Sequence, residues 1–345
     1  NSALGPNPMI LNHPDRLLPS DTFTRGLARE LYEIIEKLPI ISPHGHCDPI
    51  WFSENKRFPD PAQLFVVPDH YVFRMLVSQG FTLSELGVNS IDGSNFEKDP
   101  KEIWKKFSEN YYLFRGTPTA MWLDYSFEKV FGITELLSPA TSDFHYNHIE
   151  EKLSQPEYLP QALFDKFNIE VLSTTDSALS ELSHHSDLNK SSWGGRVVPT
   201  YRPDSIIDPE SSEFKSNITK LAELTEQDTS SWNGYLNAHR SRRLFFKEMG
   251  ATATDHGHPS ARTENLSHHE AEKLYKRILA EDFNSEDADQ FRGQMLTEMA
   301  KMSCEDGLVM QIHPGSRRNH SNKIFNHFGL DKGFDIPGRT DYVSA

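Results

Sequence analysis

The sequence predicts an α/β protein built as a (β/α)8 barrel. From residue 168 onward, short apolar runs alternate with helical segments, which is typical of parallel strands joined by helices. Residues 50–166 show no convincing strand alternation, so they are predicted to be helical and to separate the first strand from the second. Because this block is too large for a simple crossover connection, it predicts an inserted subdomain. The predicted domains are 1–49 (N-terminal arm, helix and first strand), 50–166 (helical insertion) and 167–345 (strands 2 to 5 with their helices).

Composition and charge exclude several classes of protein. The chain has 345 residues, a net charge of -15 and 37% hydrophobic residues, which is typical of a soluble globular protein. Its acidity argues against general nucleic-acid binding, because phosphates require a basic surface. The sequence contains no apolar run of membrane-spanning length and no signal peptide. Two cysteines, Cys47 and Cys304, are too few for a disulfide framework. We expect a cytoplasmic protein without nucleic-acid or membrane partners, and a homo-oligomer remains open.

The first helix and strand follow from local signals. Ser20-Asp21 can cap a helix whose apolar positions follow helical spacing to about Leu38, and Pro39 stops it. The next segment, 40–49, starts as an apolar run that predicts the first strand. This strand must end or bulge at Pro43, because proline cannot donate to a strand ladder.

The helical block contains one helix of particular interest. Asp69 predicts the N-cap of a helix that contains His70 and Tyr71. Further helices are predicted over 101–114 and 120–130, separated by a break at Gly116-Thr117-Pro118.

Apolar runs predict five strands, and each leads into polar or ionisable side chains. In chain order, these are His44 and His46, then Thr175 and Asp176, then Arg202, then Asp255, and finally His313 with Arg318. Catalytic groups of (β/α)8 barrels lie at the carboxyl ends of the strands. Strand-to-loop junctions are often polar, but that alone poorly explains His, Asp and Arg at successive strands. These residues therefore predict a single site.

An eight-stranded barrel needs about three βα units beyond these five strands. We therefore expect the natural chain to continue past Ala345, so that the barrel is incomplete at the C-terminus of this sequence. The alternative is that the barrel prediction is wrong.

The spacing of His44 and His46 predicts a metal site. Residues i and i+2 of an extended chain project to the same side, and Gly45 between them adds no bulk. Neutral imidazole is a common ligand of zinc, manganese and iron. Chance is the alternative, since the chain contains 16 histidines. Alternation turns Cys47 away from the pair, which favours packing for its side chain.

Seven segments in this order and spacing resemble the uronate isomerase family of the amidohydrolase superfamily. They are SPHGHCDP at 42–49, DHYVFR at 69–74, GTPTAMWLDYSFEKVFGI at 116–133, LSTTD at 172–176, VVPTYRPD at 197–204, ATATDHG at 251–257 and VMQIHPGSRRN at 309–319. The resemblance covers nearly the whole chain. It departs from the family at Gly45, where cysteine is more usual, and at Pro314.

The resemblance implies a distorted (β/α)8 barrel and a hexuronate as small-molecule substrate. Members interconvert glucuronate with fructuronate and galacturonate with tagaturonate. By this resemblance, His44 and His46 hold one divalent metal ion, with zinc the first choice and manganese open. The substrate-binding residues are His70, Tyr71, Arg202 and Arg318, and the pocket also includes Asp255 and His313. A further aspartate and arginine of the family's last strand would lie beyond Ala345.

Several roles remain open from the residues alone. Aldose–ketose isomerisation needs a base, a proton donor and a group that stabilises an enediolate. Asp255, His313 and Tyr71 are the candidate catalytic residues. Asp255 can instead orient a hydroxyl or buttress an arginine, His313 can be a third metal ligand, and Tyr71 can simply pack. Arginine suits a substrate carboxylate, although Arg202 can instead pair with Asp204.

Two other functions compete with an isomerase. The first is a metal-dependent hydrolase of the same superfamily, in which activation of a metal-bound water would be the main step. The bridging lysine of its two-metal members has no counterpart at Thr174, Arg202 or Asp255. The second is a non-catalytic sugar-acid binder, or a degenerate paralogue.

Overall fold

The computed structural model describes residues 12–345, so most of the predicted arm lies outside the described residues. The chain divides into two compact units. The first contains residues up to Leu38, Lys56–Leu163 and Arg318–Ile336, and the second contains Pro39–Asn55, Phe164–Arg317 and Pro337–Ala345. The first unit includes most of the predicted helical insertion over 50–166. The predicted domain boundaries themselves stay a prediction.

The elements of the chain are as follows. The α-helices are α1 (Thr22–Ile35), α2 (Pro49–Glu54), α3 (Pro61–Phe65), α4 (His70–Val77), α5 (Pro100–Glu109), α6 (Pro118–Tyr125), α7 (Ser142–Leu153), α8 (Pro160–Lys166), α9 (Ser183–Lys190), α10 (Phe214–Thr225), α11 (Trp232–Glu248), α12 (His268–Leu279), α13 (Ser285–Asp306) and α14 (Asn322–Phe328). The strands are β1 (Ile40–Ser42), β2 (Ile169–Ser173), β3 (Asp176–Ser177), β4 (Arg196–Val198), β5 (Tyr201–Arg202), β6 (Ala253–His256), β7 (Val309–Ile312), β8 (Ser316–Arg317) and β9 (Ile336–Pro337).

Side-chain caps fix the starts of the predicted helices. Asp21 accepts a hydrogen bond from the backbone N–H of Thr24 at the start of α1. Asp69 does the same for Tyr71 and Val72 at the start of α4. Both predicted caps are confirmed, although α1 ends at Ile35 rather than near Leu38.

Aromatic side chains form much of the core of the first unit. Trp104 and Phe107 of α5 are fully buried and meet edge to face, with ring centroids 5.3 Å apart. Phe127 packs on Trp104 in the same way, and the Trp104 indole N–H donates to the carbonyl of Ser142. This core explains why the helical block can fold without a sheet.

The second unit is organised around parallel strands that follow chain order. One sheet has the order β1-β2-β4 and the other β3-β5-β6-β7, and the strand pairs are parallel. The backbone N–H of Thr174 donates to Val198 O and that of Asp176 to Thr200 O, which bridges the two sheets. The segments 169–177 and 196–202 therefore pair along their length. The five predicted strands are thus neighbours in the order in which they occur, as the barrel prediction requires.

β1 ends at Ser42, immediately before Pro43, as predicted. The helices α10 to α13 share one buried core with Tyr201 of β5, to which they contribute Ile218, Tyr235, Tyr275 and Phe291. Among the described residues, no helix combines the length and the apolar character that crossing a bilayer requires.

Candidate active site at the carboxyl ends of the strands

The two histidines that follow β1 converge as their spacing predicts. The Nε2 atoms of His44 and His46 are 3.3 Å apart, and the two rings meet edge to face. The Nδ1 atom of His44 is 2.8 Å from Oε1 of Gln311 on β7. Burial, together with the neighbouring His44, lowers the pKa of His46 below its ordinary value. His46 is therefore held mainly as a neutral ring, which is the form that binds metals.

Gly45 lies tightly against the end of β2. A Cβ atom at this position would be 2.9 Å from the carbonyl oxygen of Ser173. The Thr175 hydroxyl donates to the carbonyl of Gly45 at 2.8 Å and fixes the turn. Glycine at this position therefore also allows the turn to approach β2. Any larger residue would require the backbone here to shift.

Asp255 is the centre of a charged group. It stands at the end of β6, is fully buried, and its Oδ1 is hydrogen-bonded to Nε2 of His313. Its Oδ2 is 3.3 Å from Nη1 of Arg202. Burial acts to raise the pKa of Asp255, but the hydrogen bond and the charges of His313 and Arg202 outweigh it, so the pKa is lowered. The same hydrogen bond raises the pKa of His313. The carboxylate of Asp255 therefore lies between the guanidinium of Arg202 and the imidazole of His313.

Arg202 is held from a second side. Its Nε donates to Oδ2 of Asp204 at 2.9 Å, so the alternative pairing with Asp204 is present, and a contact of Arg202 with the substrate stays a prediction. The carboxylate of Asp204 also accepts from the backbone N–H of Gly257, at 3.1 and 3.2 Å. A Cβ at Gly257 would be 2.7 Å from Nη2 of Arg202 and 3.3 Å from the ring of His313. Only glycine permits this approach.

The donor set fits a metal ion. His44, Asp255 and His313 each offer a ligand atom, and these atoms lie within 4.8 Å of one another. Two nitrogens on one tetrahedral zinc ion, each at about 2.05 Å, are about 3.3 Å apart. This matches the His44–His46 separation. Asp255 Oδ2 is buried and accepts no hydrogen bond within the described part of the chain. The residues can therefore hold a divalent cation with imidazole and carboxylate ligands.

Comparison with known proteins identifies the family. The sequence model of the glucuronate isomerase family matches residues 18–345. A uronate isomerase of Rhizobium meliloti is 57% identical over 96% of this chain and 71% of its own length. A crystal structure of glucuronate isomerase from Caulobacter crescentus superposes with a TM-score of 0.93 at 50% identity, over 97% of this chain and 70% of that one.

The chain belongs to the glucuronate isomerase family. A uronate isomerase of Thermotoga maritima, at 28% identity, superposes with a TM-score of 0.85 over 95% of this chain and 70% of its own. The predicted distorted barrel is confirmed at the level of the fold. The family match also favours the isomerase over the hydrolase.

The remaining predicted residues of this family member fall in the first unit. His70 and Tyr71 begin α4, with ring centroids 4.5 Å apart, and Tyr71 is 58% exposed. Arg318 lies 3.4 Å from a carboxylate oxygen of Asp335. That His70, Tyr71 and Arg318 belong to the site stays a prediction. The exposure of Tyr71 does rule out the core packing that its residue type favours.

Asp176 and His185 are linked through the hydroxyl of Thr174. The Thr174 hydroxyl donates to Asp176 at 2.6 Å and is 2.9 Å from Nε2 of His185. Burial raises the pKa of Asp176. His185 is itself buried. Cys47 packs against the small cluster that contains Phe52 and Leu172, as expected.

Two functional contacts escaped sequence reasoning. Gln311, which contacts His44, precedes His313 by two positions and so shares its side of β7. That spacing was the only local signal for it. The requirement for glycine at 257 depends on side chains from other strands, and the sequence around it gives no indication of them.

Proposed function

We propose that this uronate isomerase interconverts D-glucuronate with D-fructuronate and D-galacturonate with D-tagaturonate. The buried carboxylate of Asp255, paired with both Arg202 and His313 beside the His44–His46 pair, is the observation that carries the proposal. Membership of the family supports it.

The reaction is a proton transfer between neighbouring carbons. A base removes the proton from C2 of the aldose, the carbonyl oxygen at C1 gains a proton, and an enediol forms. The hydroxyl at C2 then gives up its proton as a proton is added to C1, which yields the ketose. The enzyme must therefore supply a base, a proton donor and stabilisation of negative charge.

Asp255 and His313 are the proposed proton-transfer pair. Their hydrogen bond places an acceptor and a donor side by side at the ends of adjacent parallel strands, β6 and β7. Arg202 lies on the other oxygen of Asp255 and still has donors in its planar guanidinium for a substrate carboxylate or an enediolate.

His44 and His46 are the proposed metal ligands, with Asp255 and His313 close enough to contribute. A bound divalent cation would act as a Lewis acid on a substrate oxygen. Zinc suits imidazole and carboxylate ligands, and manganese is the alternative.

His70, Tyr71 and Arg318 are proposed to contact the substrate. The exposed hydroxyl of Tyr71 suits it as a hydrogen-bond partner or proton donor for a sugar. We also propose a cytoplasmic setting, supported by two free thiols, Cys47 and Cys304.

An isomerase assay tests the proposal. The full protein is mixed with D-glucuronate and, separately, with D-galacturonate, and ketose formation is followed before and after metal removal by a chelator. We expect turnover that disappears on chelation and returns with zinc or manganese. Turnover should also be lost in His44→Ala, while His269→Ala, an exposed histidine of α12, should behave as wild type. A folded, metal-loaded protein that forms no ketose from either substrate would contradict the proposal.

A further inference from the structure

Gln311 joins β7 to the turn that carries the histidine pair. It lies on β7 opposite Asp255 of β6. Its side-chain amide makes two contacts: Nε2 donates to the carbonyl oxygen of Pro43 at 2.6 Å, and Oε1 is 2.8 Å from Nδ1 of His44. The amide is thus held at both ends.

The partner at Pro43 fixes the orientation of this amide. A carbonyl oxygen can only accept a hydrogen bond, so the NH2 group of Gln311 must face Pro43. The amide oxygen must then face the ring of His44. Two acceptors cannot form a hydrogen bond at 2.8 Å, so Nδ1 of His44 must carry the proton.

The protonation of Nδ1 determines the state of Nε2. In a neutral imidazole only one ring nitrogen is protonated, so Nε2 of His44 has a free lone pair. That atom is the one that lies 3.3 Å from Nε2 of His46. Asp255 does not compete strongly for Nδ1, because its Oδ1 is 3.6 Å away.

We propose that Gln311 is a positioning residue that holds His44 in the tautomer with the proton on Nδ1, so that Nε2 is presented to a metal ion. Partners of this kind orient metal-binding histidines and raise the affinity of the site. This proposal rests on the proposed function in one respect: both assume that His44 binds the same divalent metal ion.

The tautomer can be read without metal and without substrate. The full protein, labelled with 15N-histidine, is studied in its metal-free form by long-range 1H–15N correlation, and the His44 signals are assigned by their loss in His44→Gln. We expect the wild type to show Nδ1 protonated and Nε2 bare. Gln311→Glu loses the N–H donor to Pro43 but keeps an acceptor for Nδ1–H, so it should retain this pattern, whereas Gln311→Met keeps neither and should give a mixture of tautomers.

Metal affinity supplies the second measurement, by competition for zinc with a chelator of known affinity. Gln311→Met should weaken binding by about 10- to 100-fold, and Gln311→Glu should stay within a few-fold of wild type. Gln294→Met is the matched control, because Gln294 is buried and hydrogen-bonded to Leu266 and Glu298. It should bind zinc as the wild type does.

The outcomes separate this proposal from the isomerase proposal. A wild-type His44 protonated on Nε2 would overturn it, as would unchanged zinc affinity in Gln311→Met or a wild type that binds no zinc. Ketose formation by the wild type is a separate measurement. A protein that forms no ketose but shows the expected tautomer and zinc affinities would contradict only the isomerase proposal.

Discussion

Two clusters of polar side chains in the second unit meet at β5, where consecutive residues project to opposite sides. Arg202 belongs to the strand-end cluster, which we define as His44, His46, Arg202, Asp255 and His313. Tyr201 belongs to the interior cluster, which we define as Tyr201, His239, Arg243 and Asp306. Both clusters contain histidine, arginine and aspartate, yet their surroundings differ.

In the interior cluster the polar groups pair with one another. The Tyr201 hydroxyl is 2.8 Å from Nδ1 of His239, and Arg243 binds Asp306 through Nε and Nη2 at 2.6 and 2.9 Å. His239 is fully buried, and this burial lowers its pKa to about 3. The interior cluster therefore joins α11 to β5 and to the end of α13.

In the strand-end cluster the polar side chains converge on one another. His44 and His313 are partly exposed, while the carboxylate between them is buried. A substrate or a metal ion can therefore reach polar atoms that are already oriented. The two clusters share histidine, arginine and aspartate. They differ in whether the polar side chains converge on one point and in whether solvent can reach them.

The largest expected effect is on catalysis, through Asp255→Asn. This change keeps the shape of the side chain but removes the charge between Arg202 and His313, so we expect kcat/KM to fall about 10³-fold. Steady-state kinetics with D-glucuronate measure it, with thermal unfolding to check that the protein stays folded. Activity within a few-fold of wild type would remove Asp255 from the catalytic group.

The matching change in the interior cluster is Asp306→Ala. It leaves the buried guanidinium of Arg243 without its partner, and we expect the free energy of unfolding to fall by about 3 kcal/mol. Urea unfolding measures this, and kinetics on the folded protein should show a kcat/KM close to wild type. A stable but inactive variant would show that the two clusters are not separate in function.

A smaller effect is expected from Gly257→Ala. The added methyl group must displace the Arg202 guanidinium or the Asp204 carboxylate, so we expect kcat/KM to fall about 10-fold or more. Gly194→Ala is the control, because a Cβ there meets nothing within 4 Å. Equal kinetics in the two variants would show that Arg202 does not need its present position.

The last effect concerns pH and His239. Its pKa is about 3 in the folded state and near 6.5 in the unfolded state, so between these values the unfolded state binds more protons. The stability due to neutral His239 is fully present above pH 6.5 and is lost as the pH falls towards 3. The charged groups near it, Arg240 and Arg243, disfavour its protonation further.

His239→Gln removes this titration. Urea unfolding at pH 7.5, 5.5 and 4.5 should show that the variant loses stability less steeply on acidification than the wild type. The difference should reach up to about 1.4 kcal/mol per pH unit. Parallel pH profiles for the two proteins would contradict the assignment.

Local signals allowed the strands and the convergence of His44 and His46 to be predicted from sequence. The i, i+2 spacing of His44 and His46 needed only an extended backbone, and the caps at Asp21 and Asp69 needed only the next turn. The meeting of Asp255 with His313 followed from parallel strands whose carboxyl ends lie at one edge.

Contacts that depend on packing between distant segments could not be predicted in this way. The approach of Gly45 to Ser173 and of Gly257 to Arg202 is a matter of tenths of an ångström between separate strands. The amide of Gln311 binds Pro43 and His44 because β1 and β7 both deliver residues to the site. No periodicity in the sequence reports such distances.

The hydrogen bond between His44 and Gln311 spans 267 positions of the chain. Contacts of such long sequence separation form only after much of the intervening chain has been ordered, because loop closure is costly in entropy. The orientation of His44 is therefore a late event in folding. If a metal ion recognises the oriented ring, it should bind the finished native state more tightly than an earlier intermediate. Its binding would then mainly slow unfolding rather than speed folding.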